Sequence, residues 1–73
     1  MDVGTRLRTL RAAKGLSQEA LAERAGLHRN YVGSVERGER DIGLRSLASL
    51  ASALSVSLAE FFSPFQTVGR PKR

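Results

Sequence analysis

The sequence predicts an all-α fold, a compact domain of five short helices, and three observations predict it. Apolar residues recur at three- and four-residue steps in five segments between Val3 and Phe62. Residues suited to helix ends punctuate those segments, with Gly15 and Gly26 at exits and Ser17 and Ser57 at entrances. Within 17–38, the face made by Leu21, Ala25, Leu27, Val32 and Val35 changes phase once, at Gly26, where a single helix would run through. The second and third helices therefore meet there in a helix-turn-helix. Gly26 is free to take the positive φ such a turn needs, and Ala22 is small where the two backbones approach.

The first helix spans Val3 to Lys14, with Val3, Leu7 and Leu10 on one side and Arg6, Arg8, Arg11 and Lys14 around them. Ser17 caps the second helix, Gln18 is its first residue, and Glu19 sits favourably in its first turn. The third runs from about Arg29 to Arg37, and the segment from Gly38 to Gly43 is a turn. Leu44, Leu47, Leu50, Ala51 and Leu54 give the fourth helix, with Gly43 or Asp41 as a poor N-cap. Ser57 caps a short fifth helix that carries Leu58, Phe61 and Phe62 and that Ser63-Pro64 is expected to stop.

A chain of 73 residues without cysteine has neither a disulfide nor a thiolate metal site to reinforce a small core. A second subunit is the expected source of further buried area. The three phenylalanines fall between positions 61 and 65, so Val56, Leu58, Phe61, Phe62 and Phe65 are expected to form a self-complementary homodimer surface. Positions 1–65 then make one binding and dimerisation domain, and 66–73 an aperiodic basic tail expected to be disordered. Gly69-Arg70-Pro71 in that tail is similar to the core of an AT-hook, but Val68 stands where that motif has a further basic residue, and the favoured reading is a solvated basic tail that adds nonspecific attraction to phosphates. Without an apolar leader or a membrane-length run, the expected compartment is the cytoplasm.

Formal charge is +5, with 12 basic and 7 acidic residues, but Arg70, Lys72 and Arg73 supply three of the basic ones. The folded part is only mildly basic, so recognition of a polyanion must rest on where its arginines point. Projected at 100° per residue, the third helix turns Val32, Val35 and Glu36 one way and Arg29, Asn30, Gly33, Ser34 and Arg37 the other. Arginine can hold guanine O6 and N7 together, asparagine can pair with adenine N6 and N7, and serine can serve either. Arg29, Asn30 and Ser34 are thus candidates for reading bases, with Gly33 either clearance for close approach to DNA or a tolerated surface glycine. Gln18, Tyr31, Arg37 and Arg40 are candidates for holding the sugar-phosphate backbone. For Gln18, Tyr31 and Arg40, the alternatives are a solvated amide, a half-buried ring and a solvated loop cation. His28, the only histidine, stands at the entrance to the third helix as a cap or backbone contact. No nucleophile with a base, metal cluster or phosphate loop points to an enzyme, a cofactor, a metal or a small-molecule substrate.

Gln18, Ala22, Gly26, Val32 and Val35 occupy the signature positions of the lambda-repressor-like (Cro/C1, or XRE) helix-turn-helix family, which the chain resembles from Leu7 to about Phe62. Leu16-Ser17-Gln18-Glu19, Tyr31, Glu36-Arg37-Gly38 and Leu50-Ala51-Ser52-Ala53-Leu54 extend the likeness. Leu27 to Val32 and Glu36 to Arg40, in so short a chain, look like the controller proteins of restriction-modification systems, with departures at Asp41 and Gly43. The resemblance implies a homodimer through the last helix and a palindromic operator in double-stranded DNA, read by the third helix. It also implies a structural ion pair between the first helix and the end of the third, at Arg11 and Glu36. The expected function is a sequence-specific transcriptional regulator. The alternative is an antitoxin or adaptor that uses the same fold to grip another protein.

Overall fold

The computed structural model describes residues 2–65. Five helices follow in order: α1 (Val3–Ala13), α2 (Gln18–Ala25), α3 (Arg29–Glu36), α4 (Leu44–Ala53) and α5 (Leu58–Phe61). The expected tail at 66–73, with Gly69-Arg70-Pro71, lies outside the described residues. Helix α2 packs on α3 and α4, α1 packs on α3, and α5 rests against α4. One core joins them, made by Leu7 and Leu10 of α1, Leu21 and Ala22 of α2, Val32 and Val35 of α3, and Leu47, Leu50 and Ala51 of α4. Leu54, Val56 and Phe61 close it from the α4–α5 end. Burial of each large aliphatic or aromatic side chain there stabilises the fold by roughly 1.5–3 kcal/mol.

Local chemistry sets the helix boundaries. Asp2, Ser17 and Ser57 each accept a backbone N–H three residues on, from Thr5, Ala20 and Glu60. Gly43 begins α4 without a side-chain cap. At the exit of α2, Gly26 has φ 72°, and the Leu27 N–H reaches back to the Ala22 carbonyl at 2.8 Å. That left-handed residue turns the chain sharply from α2 into α3. The same backward hydrogen bond closes α4, where the Val56 N–H meets the Ala51 carbonyl at 3.0 Å, but the left-handed position is held by Ser55 at φ 61°. An L side chain there is strained by roughly 1–2 kcal/mol. Ser55→Gly is therefore expected to stabilise the domain by about 0.5–1 kcal/mol after its more flexible unfolded chain is counted, raising the thermal midpoint by about 3–6 °C. A lower midpoint would show that the Ser55 side chain contributes more than its strain costs.

Two close contacts hold α1 in place. Gly4 is buried, and a Cβ on it would overlap the carbonyl oxygen of Val35 and lie 2.8 Å from that of Glu36, so α1 crosses the end of α3 with backbone against backbone. Arg6 donates from Nε to the Phe61 carbonyl and from Nη2 to that of Glu60, both at 2.8 Å, and so ties α5 to α1.

Two expectations change. Phe61 is fully buried and Val56 nearly so, both inside this chain's own core, so neither lies on a subunit surface. Helical rotation separates Phe61 from Phe62: α5 turns back on α4 and points Phe61 inward, leaving Leu58 exposed and Phe62 and Phe65 half-buried. Leu44, assigned to the apolar side of α4, is the helix's first residue and 76% exposed. As expected, α5 ends before Ser63-Pro64, and a separate 3₁₀ turn follows over Ser63–Phe65, because proline fits the first positions of a helical turn.

Candidate nucleic-acid interface

Helix α3 begins at His28, whose Nδ1 accepts the Asn30 N–H at 3.1 Å. The imidazole thus caps the helix, as a side-chain oxygen does elsewhere. Next to it Arg29 and Asn30 are exposed. Arg29 meets Glu19 of α2 through Nη1 at 3.5 Å, with both side chains largely in solvent, so the pair is weak and leaves the rest of the guanidinium free. Ser34, one turn on, is half-buried and donates its hydroxyl to the Tyr31 carbonyl at 3.0 Å. Its oxygen keeps acceptor capacity, while its proton is already used within the helix.

Tyr31 packs its ring against the core, and its oxygen accepts the Gly43 N–H at 3.4 Å. The hydroxyl proton remains to be donated outward. Arg40 lies over the same ring, 5.7 Å from its centroid, so this loop cation is held on an aromatic face. Arg37 is exposed and grips Glu39 with two hydrogen bonds, from Nε at 3.0 Å and Nη2 at 3.1 Å.

Gln18 lies elsewhere than the spacing suggested. Its Nε2 donates to Glu36 Oε1 at 2.9 Å, so the side chain bridges α2 and α3. Its backbone N–H opens α2 without an intrahelical partner. Gly33, read as clearance for DNA or a surface glycine, is buried: a Cβ there would stand 3.2 Å from Gln18 Oε1 and 3.1 Å from Arg37 Nη1. The space it leaves is filled by this chain's own side chains.

Beneath this face lies a buried charge. Glu36 has no exposed side-chain surface and accepts from Arg11 Nε at 2.6 Å and Nη2 at 3.0 Å, with Gln18 as a third donor. Arg11 also donates from Nη1 to the Leu16 carbonyl at 2.8 Å, and Arg8 stands 3.8 Å from the carboxylate. Burial pushes the Glu36 carboxyl up, but the hydrogen bonds from Arg11 and Gln18 and the nearby guanidinium charges outweigh it and hold Glu36 below its ordinary 4.5. One carboxylate thereby joins α1, α2 and α3.

Spacing alone gave no sign of the Arg6, Gly4 or Glu39 contacts. Arg6 and Gly4 meet backbone atoms far along the chain, to which side-chain periodicity is blind, and Glu39 lies past the end of α3, where helical spacing no longer applies. Among the described residues no group of three His, Cys, Asp or Glu side chains could hold a metal ion, and no helix is long and apolar enough to cross a membrane.

The arrangement matches known proteins. The helix-turn-helix family HTH_3 matches residues 7–61. Control protein C.SmaI of Serratia marcescens is 49% identical over 57 residues, covering 78% of this chain and 68% of that protein. Control protein C.BamHI of Bacillus amyloliquefaciens is 36% identical over 67 residues, covering 90% and 82%. Among solved structures, the restriction-modification controller protein C.AhdI from Aeromonas hydrophila superposes with a TM-score of 0.80 at 55% identity, covering 82% of this chain and 91% of that one. With five helices, a glycine turn between α2 and α3 and a polar face on α3, the chain belongs to the helix-turn-helix family HTH_3, of XRE type, whose members are DNA-binding transcription regulators.

Proposed function

We propose that this chain is a homodimeric regulator of restriction-modification controller type, which reads a palindromic operator through α3. The observation that carries the reading is the exposed Arg29–Asn30 pair at the capped start of α3, on a scaffold 55% identical to a controller protein. Arg29 and Asn30 read base edges in the major groove, and Ser34 assists them as an acceptor. The Gln18 backbone N–H, the Tyr31 hydroxyl, His28, Arg37 and Arg40 hold the sugar-phosphate frame. Leu58, Phe62 and Phe65 form the dimer contact. Phe62 and Phe65 already stack edge to face at 5.4 Å, and Leu58 is 40% exposed, which makes an apolar ridge for a second copy to cover. Two-fold symmetry then places the two α3 helices in successive major grooves, about 34 Å apart.

The test compares two arginines on a duplex selected from a random-sequence pool and on an unselected duplex. Arg29→Ala is expected to weaken binding to the selected duplex by about 1–3 kcal/mol while changing binding to the other little. Arg37→Ala should weaken both and flatten the dependence of log K on log salt by about 0.9, the share of one phosphate. Equal losses from the two substitutions on both duplexes would contradict the division into base-reading and frame-holding residues.

A further inference from the structure

Arg37, the cation at the C-terminal end of α3, has one two-donor edge of its guanidinium taken up within the chain. Nε and Nη2 bind the two oxygens of Glu39 at 3.0 and 3.1 Å, and Nη1 lies against the buried face of Gly33, 3.1 Å from where a Cβ would stand. The carboxylate is placed by the backbone. Gly38 takes φ 76°, and the Glu39 N–H returns to the Ser34 carbonyl at 2.9 Å, so residue 39 is fixed relative to the last turn of α3. Ordering such a pair costs less than joining two mobile surface chains, because only the side chains remain to be aligned. Both charges persist at neutral pH, since the hydrogen bonds from Arg37 hold the Glu39 carboxyl below its ordinary 4.5.

We propose that Glu39 and Gly33 form a resting site for the Arg37 guanidinium, in which an internal carboxylate competes with DNA phosphate for that cation and lowers affinity for every duplex alike. The proposal rests on the reading of α3 as a DNA-facing helix. A phosphate can meet guanidinium through the same Nε–Nη2 edge that Glu39 occupies, and a two-point contact on that edge requires the internal pair to break. Because the contact is to the backbone, the cost falls on selected and unselected sequences equally and leaves their ratio unchanged. The competition is strongest at low salt, where the exposed pair is least screened.

The experiment is a double-mutant cycle of wild type, Glu39→Gln, Arg37→Gln and the double variant. Affinities are measured on a selected and an unselected duplex at low and high salt, with thermal midpoints as a check on folding. Glu39→Gln is expected to bind both duplexes about two- to fivefold more tightly at low salt, with the gain shrinking as salt rises. In the Arg37→Gln background the same substitution should gain nearly nothing. A gain of equal size in both backgrounds would mean that Glu39 merely repels DNA, and would overturn the proposal, as would no gain at all. If wild type bound no duplex, the assignment of α3 to DNA would fall instead.

Discussion

Glu36→Ala is expected to destabilise the domain by about 3–5 kcal/mol, the cost of removing one partner from a buried ion pair. The Glu36 side chain is wholly enclosed, and Arg11 is only 17% exposed. Without the carboxylate, Arg11 keeps its bond to the Leu16 carbonyl but loses both bonds to Glu36, and Gln18 Nε2 loses its acceptor. Small domains have about 5–15 kcal/mol of stability in total, so the loss takes a large share of it. Urea unfolding followed by circular dichroism measures the change. A loss below about 1 kcal/mol would show that solvent reaches the pair and that it is not a true interior charge. Replacing both partners, as in Arg11→Met with Glu36→Leu, should recover most of the loss, because apolar groups of similar volume avoid the desolvation cost.

The same carboxylate gives the fold a pH dependence of definite sign. The folded pKa of Glu36 is lowered from 4.5, so its contribution is fully present above the unfolded value and disappears as pH falls through the lower folded one. Stability should be level near neutrality and fall in acid. Glu36→Gln should remove part of that acid slope.

Much of the scaffold could be read from spacing, because its determinants are local. Ser17 and Ser57 each meet an N–H three residues away, and Gly26 turns the chain where the apolar phase breaks. The chemistry of the α3 face was readable for the same reason, since helical rotation puts Arg29 and Asn30 outward and Val32 inward without knowledge of the rest. What escaped depends on partners distant in sequence. Phe61 and Phe62 are neighbours in the chain, yet one fills the core and the other stays at its edge, which only the packing of α5 decides. Arg6 gave no sign that it would meet carbonyls 54 and 55 residues away. Gln18 was assigned by its position at a helix start, but its amide answers to a carboxylate on the next helix. The Arg11–Glu36 pair was reachable only through family resemblance, because nothing in its spacing links two residues 25 positions apart.

Gly4→Ala is expected to reverse the ordinary effect of that exchange. In an exposed helix, alanine is favoured over glycine by roughly 0.5–1 kcal/mol. Here the new methyl would meet the carbonyl oxygens of Val35 and Glu36, which belong to the backbone of α3 and cannot rotate aside. Helix α1 must move outward, and the Arg11–Glu36 pair, whose shorter bond is 2.6 Å, stretches with it. Overpacking of this kind costs about 1–3 kcal/mol, and the coupled ion pair puts the expected loss near the upper end, about 3 kcal/mol. Thr5→Ala, at the exposed neighbouring position of the same helical turn, should change stability by no more than about 0.5 kcal/mol. If Gly4→Ala proved as stable as wild type, α1 would not be seated on the end of α3, and the angle of the Arg29–Asn30 face would have to be set by α2 alone. If it folded with the expected loss, DNA binding by the surviving folded fraction would report how far that angle had shifted: a 1 Å misplacement of Arg29 is enough to break a two-point contact with a base.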